Sequence, residues 1–216
     1  PYLTRKFGPV EYGINTELYS YVSLLAILFT YGLETAYFSF ATNNEKEKEK
    51  VFDTAFVSIV CSTLVFSGLI IVFSQPIASW LEYPDKSYYV TWFALVLGFD
   101  ALCAIPYARL RIENRPMRYA AIKTAGIIIN IILVLFFPGL CPYILNHDGF
   151  VFLKSFVVKV FDPSLRVGYV FLVNVVASAF PLLLFMPMLL RRKYSPDVSL
   201  YKRILPYALP MVIVGT

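Results

Sequence analysis

Two acidic side chains inside long apolar runs are the residues of this sequence best suited to chemistry. Glu34 lies in the segment TYGLETAYFSF, and Asp100 lies in LVLGFDALCAIPYARL. An acid at the centre of a membrane-spanning helix costs about 2.5–3.5 kcal/mol, so a function or a partner must retain it there. Two roles are open for each acid: fixed partner of an Arg or Lys, or a site that gains and loses a proton or cation. We expect both acids to lie at a similar depth in neighbouring helices.

Two amide side chains form a second set of polar candidates inside apolar runs. Asn130 shares a helical stripe with Gly126 and Lys123, and Asn174 lies in a later run. Hydrogen bonds between helices, worth roughly 0.6–2 kcal/mol each, explain both amides adequately. The alternative is that they line a polar cavity.

Basic residues concentrate in the segment ARLRIENRPMRYAAIK. The planar guanidinium of arginine matches the oxygens of a phosphate group, often through two parallel hydrogen bonds. One interpretation is an anchor that contacts anionic lipid. The other is a mouth that captures a pyrophosphate headgroup. The phosphate-binding candidates are Arg109, Arg111, Arg115, Arg118 and Lys123.

Five apolar runs must position these side chains. Hydrophobic residues make up 58% of the 216-residue chain and charged residues only 15%, whereas a soluble domain is about 45–50% apolar and about 25% charged. A hydrocarbon core about 30 Å thick needs about 20 helical residues. The runs that supply this length are 18–40, 51–73, 88–108, 119–137 and 167–190. We therefore predict an all-α, multi-pass bundle of transmembrane helices.

The basic residues also predict how the bundle is oriented. Thirteen of the 19 Lys and Arg residues lie in segments 41–50, 109–123 and 191–203, and six lie in the alternate connections. Basic residues accumulate in cytoplasmic loops, so these three segments are predicted to face the cytoplasm. The net charge of +5 therefore reflects orientation, and we expect no nucleic-acid partner.

Proline and glycine predict where the helices are interrupted. Pro106 and Pro181 lie inside apolar runs and predict kinks or local unwinding, which membrane proteins tolerate where the backbone lines a cavity. Gly8, Pro9 and Gly13 predict a turn-rich outer loop before the first run. A sixth apolar run begins near Ile204 and is cut off by the chain end, so we interpret the sequence as an internal fragment.

The sequence carries no recognisable catalytic or metal-binding pattern. It has no nucleophile elbow, no HExxH motif and no Walker loop. Cys61, Cys103 and Cys141 are scattered and predict neither a disulfide framework nor a metal site. We therefore expect a protein that is not an enzyme and that uses no cofactor.

Three stretches together carry a family resemblance. They are YLTRKFGPVEYGINTELYSYVSLLAILFTYGLETAYFSF, DALCAIPYARLRIENRPMRYA and GYVFLVNVVAS. They resemble the polysaccharide-biosynthesis flippases of the multidrug/oligosaccharidyl-lipid/polysaccharide exporter superfamily. The resemblance covers nearly the whole chain and rests on loop and helix-end patterns, so no residue's role is carried over.

The resemblance implies two six-helix lobes that face each other across a central cavity and work by alternating access. Residues 1–203 would form the N-terminal lobe without its first helix, and residues 204–216 would begin the second lobe. The implied substrate is an undecaprenyl-pyrophosphate-linked oligosaccharide, moved from the inner to the outer leaflet of the bacterial cytoplasmic (inner) membrane. Cavity cations would meet the pyrophosphate, and cavity acids would couple transport to a proton or sodium gradient.

Two other functions remain open from the sequence. One is a cation-coupled exporter of small molecules, which needs an acid-lined pocket and no phosphate-binding cations. The other is a membrane enzyme acting on lipid-linked sugars, which needs a large outer catalytic loop. Under the coupling hypothesis, Asp100→Asn and Glu34→Gln are each expected to lower transport while leaving expression intact.

Overall fold

The computed structural model describes residues 9–43, 47–146, 154, 157–159, 161–162, 165 and 168–214. Helices dominate this part of the chain, and it contains no β-strand. A 3₁₀ turn lies at Pro84–Lys86, and a π-helical segment lies at Leu135–Leu140. The α-helices are α1 Pro9–Thr30, α2 Leu33–Asn43, α3 Lys48–Val72, α4 Ser74–Trp80, α5 Ser87–Ile112, α6 Pro116–Val134, α7 Cys141–Asn146, α8 Gly168–Leu190 and α9 Val198–Val214.

Among the described residues, five helical segments are long and apolar enough to cross a membrane. Large apolar side chains, such as Leu64, Val72 and Ile132, are exposed on the bundle surface. Apolar exposed faces suit a lipid solvent, since the backbone polar groups are satisfied within each helix. The segments are Tyr19–Asn43, Lys48–Val72, Pro84–Ile112, Pro116–Leu145 and Gly168–Leu190. The prediction of an all-α multi-pass bundle is confirmed.

Helix α5 is the centre of the bundle. It packs against α1, α2, α3, α4, α6 and α8. Its buried side chains, including Leu97 and Ile105, join the largest apolar cluster of the described residues. Since α5 also carries Asp100, the most deeply surrounded helix positions the sharpest candidate from the sequence.

The first apolar run is not one continuous helix. Tyr31 and Gly32 separate α1 from α2, and both have positive φ angles, 33° and 70° respectively. Glycine adopts this conformation without steric cost, whereas a tyrosine does not. A hydrogen bond of 2.5 Å between the Tyr31 hydroxyl and Ser58 Oγ fixes the interruption against α3.

The interruptions expected at prolines are elsewhere. Helix α5 continues through Pro106 and α8 through Pro181, so neither position is locally unwound. The π-helical segment contains Pro138 instead. At the start of the chain, α1 already includes Gly13, which corrects the expected loop there; Gly8 lies outside the described residues.

Helix α9 also begins earlier than the sequence indicated. It starts at Val198 and not near Ile204. Its residues Ile204 and Ala208 are fully buried against α2 and α3. The last described helix is therefore packed into the same apolar core as the helices before it.

Candidate functional site

A cavity of about 450 Å³ between α5, α6 and α8 collects polar side chains; we call it the polar cavity. Three of the four transport candidates from the sequence line it. The polar side chains that line it are Asp100, Tyr107, Lys123, Asn130, Asn174 and Ser178. Its volume lies in the range of small-molecule sites, about 300–1,000 Å³.

A glycine allows α6 and α8 to approach each other beside this cavity. A Cβ atom added at Gly126 would lie 3.2 Å from Pro181 Cγ and 3.6 Å from the Ala177 carbonyl oxygen. Small residues at such crossings let helix backbones come close in lipid. The stripe that contains Gly126 and Asn130 therefore faces α8, as its spacing in the sequence indicated.

Asp100 is exposed to the polar cavity from the middle of α5. Ser178 of α8 lines the same cavity. Within the described part of the chain, Asp100 makes no ion pair with Lys or Arg. An acid at this depth with no counter-cation is chemically available to a proton, a cation or a polar ligand.

A chain of hydrogen bonds crosses the polar cavity from α6 to α1. Asn130 Nδ2 donates to Asn174 Oδ1 at 2.6 Å, and Asn174 Nδ2 donates to the Tyr19 hydroxyl. The Tyr19 ring packs edge-on against Phe93, with ring centroids 5.3 Å apart. It also stacks against Phe171 at 6.5 Å. Both amides thus join helices, and the same bonds hold them at the cavity wall.

Aromatic and basic side chains form the other end of the polar cavity. Lys123 Nζ lies 3.3 Å from the Tyr119 hydroxyl, to which it donates, and 5.5 Å from that ring's centroid. Tyr107 packs edge-on against Tyr119 and Phe185, with ring centroids 5.2 and 5.1 Å apart. Lys123 is the one cationic side chain that lines this cavity among the described residues.

A second polar region, which we call the basic end, lies where α3 begins and where α5 and α8 end. Arg192 Nε donates to Asp53 Oδ1 at 2.6 Å, and Arg192 also pairs with Glu49. Arg109 pairs with Glu49 at 3.1 Å and with Glu113 at 2.6 Å. The contacts join Glu49, Arg109 and Arg192, so described residues of the predicted cytoplasmic segments 41–50, 109–123 and 191–203 lie on one side of the bundle.

Asp53 is the buried centre of the basic end, with 3% of its surface exposed. It accepts hydrogen bonds from the Ser195 backbone N–H and hydroxyl, at 3.2 and 3.3 Å. Burial lowers the pKa of Arg192, but hydrogen bonds and charge from Asp53 and Glu49 outweigh burial and raise it overall. The guanidinium therefore remains charged, as a buried carboxylate requires of its partner.

The structure does not gather the predicted phosphate-binding residues into one site. Arg109 belongs to the basic end, and Arg115 pairs with Glu113 at 3.3 Å. Arg111 pairs with Glu34. Lys123 lines the polar cavity, and Arg118 is exposed without an ion pair to any described residue.

Glu34 and Asp100 lie at different depths, which corrects the expectation that they share one. The partner of Glu34, Arg111, follows Asp100 on α5 by eleven residues, or about 16 Å along the helix axis. Glu34 therefore lies near the basic end. For this acid the observed contact is a fixed basic partner.

Sequence reasoning missed Asp53, Arg192 and Tyr19 as members of these sites. Asp53 lies three residues inside the second predicted run, which was a usable signal for a partnered acid. Arg192 was counted only as a basic loop residue. Tyr19 carried no signal, since its contact with Asn174 joins residues 155 positions apart.

A helical bundle with apolar outer faces, a mid-helix polar cavity and a basic end defines a polytopic membrane protein. Residues 2–140 match the family described as "Polysaccharide biosynthesis protein". Because the match covers more than half of the chain, the protein belongs to this family and has a role in polysaccharide biosynthesis or export. No curated protein and no solved structure matches the chain significantly.

Proposed function

We propose that this protein is a flippase that moves an undecaprenyl-pyrophosphate-linked oligosaccharide from the inner to the outer leaflet of the bacterial cytoplasmic membrane. The observation that carries the proposal is the polar cavity at mid-helix in a member of a polysaccharide biosynthesis family. A large polar headgroup enters hydrocarbon only at a high cost unless its hydrogen bonds are replaced. A polar cavity replaces them while the lipid tail stays in the bilayer.

The side chains of the polar cavity suit sugar hydroxyl groups, which both donate and accept hydrogen bonds. Asn130 and Asn174 each offer a carbonyl acceptor and two donors, and Asp100 offers acceptors. Lys123 supplies positive charge at the end near Tyr119. Movement of a headgroup needs binding and release and no covalent step, so we propose no enzymatic activity.

Asp100 is the coupling residue of the proposed mechanism. A carboxylate without a basic partner at this depth is stabilised by a bound proton or cation. Alternate loading of that ion from the two sides would bias the direction of transport. Under this proposal a proton or sodium gradient drives the cycle.

One observation favours a second candidate, a cation-coupled exporter of small molecules. Arg109, Arg111 and Arg115 are ion-paired outside the polar cavity, which leaves it with an acid and a single lysine. A pocket of that charge is suited to a small organic cation. The family membership argues for the oligosaccharide.

The test is deletion of the gene, followed by measurement of where lipid-linked oligosaccharide accumulates. Access of a membrane-impermeant glycosidase to the sugar in spheroplasts reports the outer leaflet. We expect protected, inner-leaflet material that the intact gene returns to the outside. Normal exposure with lost resistance to toxic cations would establish the exporter, and exposed but unpolymerised sugar would establish an enzyme.

A further inference from the structure

We infer that the basic end contains a phosphate-binding site formed by Arg109, Arg191 and Arg192. In the structure the carboxylate of Glu49 pairs with two of these arginines in the way that a bound anion would. The ligand class is a phosphate or pyrophosphate group. The inference rests on the proposed function for the source of that group, a lipid pyrophosphate headgroup at the inner leaflet.

A second cavity of about 450 Å³ lies at the basic end, separate from the polar cavity. Its lining consists of the three arginines together with Pro187 and Met188 of α8. The wall therefore combines cationic and apolar side chains. That combination suits a phosphate group attached to a lipid tail better than it suits a freely hydrated ion.

Glu49 bridges two of the three arginines that line this cavity. One of its carboxylate oxygens accepts from Arg109 Nη2 at 3.1 Å, and the other accepts from Arg192 Nη2. Two oxygens of one anion shared between two guanidinium groups is a geometry that phosphate also adopts. The Glu49 side chain is 58% exposed, whereas the Arg109 and Arg192 side chains are 14% and 18% exposed. Water therefore screens the Glu49 carboxylate, and a ligand displaces it more readily than it would displace the buried Asp53.

The two arginines keep their positions without Glu49. Glu113 holds Arg109 and Asp53 holds Arg192, each through a 2.6 Å contact to Nε. Both guanidinium groups also lie over the Phe52 ring, with Cζ 4.7 and 4.8 Å from its centroid. Arg192 Nη2 also donates to the Glu49 backbone carbonyl oxygen at 3.2 Å. Both guanidinium groups therefore stay in place for an incoming anion when the Glu49 carboxylate moves away.

The charge balance of the basic end favours an anion. Arg191 is exposed and pairs with no described acid. Arg109 Nη1 is buried and has no hydrogen-bond acceptor among the described residues. Displacement of Glu49 thus leaves three arginines facing the cavity, with only Asp53 and Glu113 bound to two of them.

The test measures binding of inorganic pyrophosphate to the purified intact protein in nanodiscs of neutral lipid. Glu49→Gln removes the competing carboxylate and is expected to tighten binding about tenfold, as for loss of one charge-assisted contact. Arg191→Gln is expected to weaken binding by a similar factor. Lys193→Gln is the matched control, since it removes one exposed charge beside the site and should change binding less than twofold. Equal affinities in all four proteins would overturn the inference.

A second arm identifies the source of the phosphate. Nanodiscs that contain undecaprenyl pyrophosphate should block inorganic pyrophosphate if the site takes the lipid headgroup. Unblocked binding with the same mutant pattern would assign the site to free phosphate. Leaflet assays separate this inference from the proposed function. If the lipid-linked oligosaccharide is not flipped but the variants change pyrophosphate affinity as expected, only the flippase is refuted. If flipping is normal but all four proteins bind pyrophosphate equally, only this site is refuted.

Discussion

The basic end and the polar cavity treat carboxylates in opposite ways. At the basic end, Asp53 is buried against Arg192 and also receives hydrogen bonds from Ser195. In the polar cavity, Asp100 shares the lining with Ser178 and makes no ion pair with a described basic residue. Both acids belong to predicted apolar runs, so their sequence surroundings look alike while their tertiary surroundings differ.

A basic partner distinguishes acids that hold a bundle together from acids that serve its function. Removing one member of a buried ion pair strands the other charge, which is a large structural penalty. Neutralising an unpaired acid strands nothing and removes a charge that the helix accommodates only at a cost. Loss of stability and loss of transport should therefore appear in different variants.

The largest effect on stability is expected for Asp53→Ala. The change leaves Arg192 without its buried partner and should lower the free energy of unfolding by about 3–5 kcal/mol. Thermal unfolding of the detergent-purified protein measures it. Glu34→Gln is the control, because its exposed pair with Arg111 contributes at most about 1 kcal/mol. Similar unfolding temperatures for the two variants would contradict the contrast between buried and exposed pairs.

Asp100→Asn is expected to lower transport by about tenfold or more, equivalent to about 1.4 kcal/mol, without lowering stability. The amide keeps the shape of the side chain but no longer carries the charge. The measurement is the rate of lipid-linked oligosaccharide appearance at the outer leaflet, at matched expression. Glu34→Gln, which the sequence placed in the same class, should remain near wild type, since its carboxylate pairs outside the polar cavity. Loss of transport in both variants would return Glu34 to a coupling role.

A smaller effect is expected from the hydrogen-bond chain across the polar cavity. Asn130→Ala and Asn174→Ala should each cost about 0.6 kcal/mol of stability, with about 1.7 kcal/mol as the upper limit for such bonds in membranes. Because the two amides contact each other, the double variant should cost less than the sum of the single variants. Strict additivity in a double-mutant cycle would show that the bond is not stabilising.

The smallest effect concerns the connection between α8 and α9. The Ser199 hydroxyl and the backbone N–H groups of Ser199 and Leu200 donate to Asp197 and lower its pKa. The stabilisation is therefore present above the ordinary pKa of Asp and is lost as pH falls through the lowered value. Amide hydrogen exchange in the first turn of α9 should differ between wild type and Asp197→Ala at neutral pH and converge in acid. A difference that persists in acid would exclude the charge of Asp197 as the cause.

The sequence predicted the helices and the gathering of basic segments because both depend on local composition. Apolar length sets a span, and loop charge sets its direction, without reference to distant residues. The partner of each acid was not predictable in this way. Asp53 and Arg192 are 139 positions apart, and only the packing of both α3 and α8 against α5 determines that they meet.

In the candidate site too, features that depend on local sequence were predictable and contacts between distant residues were not. The stripe of Lys123, Gly126 and Asn130 was predicted, because a helical repeat places these residues on one face. The acidic partners of the arginines were not predicted, because arginines with similar sequence surroundings pair with different acids. The position of Asp100 inside an apolar run marked it as a candidate, but its lack of a basic partner was not predictable, because Glu34 carried the same signal and pairs with Arg111.

The interruption at Tyr31 and Gly32 divides the first membrane span into two helices. A continuous helix transmits a push along its axis through unbroken hydrogen bonds from each N–H to the carbonyl four residues before it. A pair of residues with positive φ interrupts that pattern, so the first span consists of two helices, and the Tyr31–Ser58 hydrogen bond fixes their junction against α3. Tyr19 in the first helix is hydrogen-bonded to Asn174 at the wall of the polar cavity, and Glu34 in the second helix pairs with Arg111 of α5. One membrane span therefore makes its contacts at the polar cavity and at the end of α5 through two separate helices.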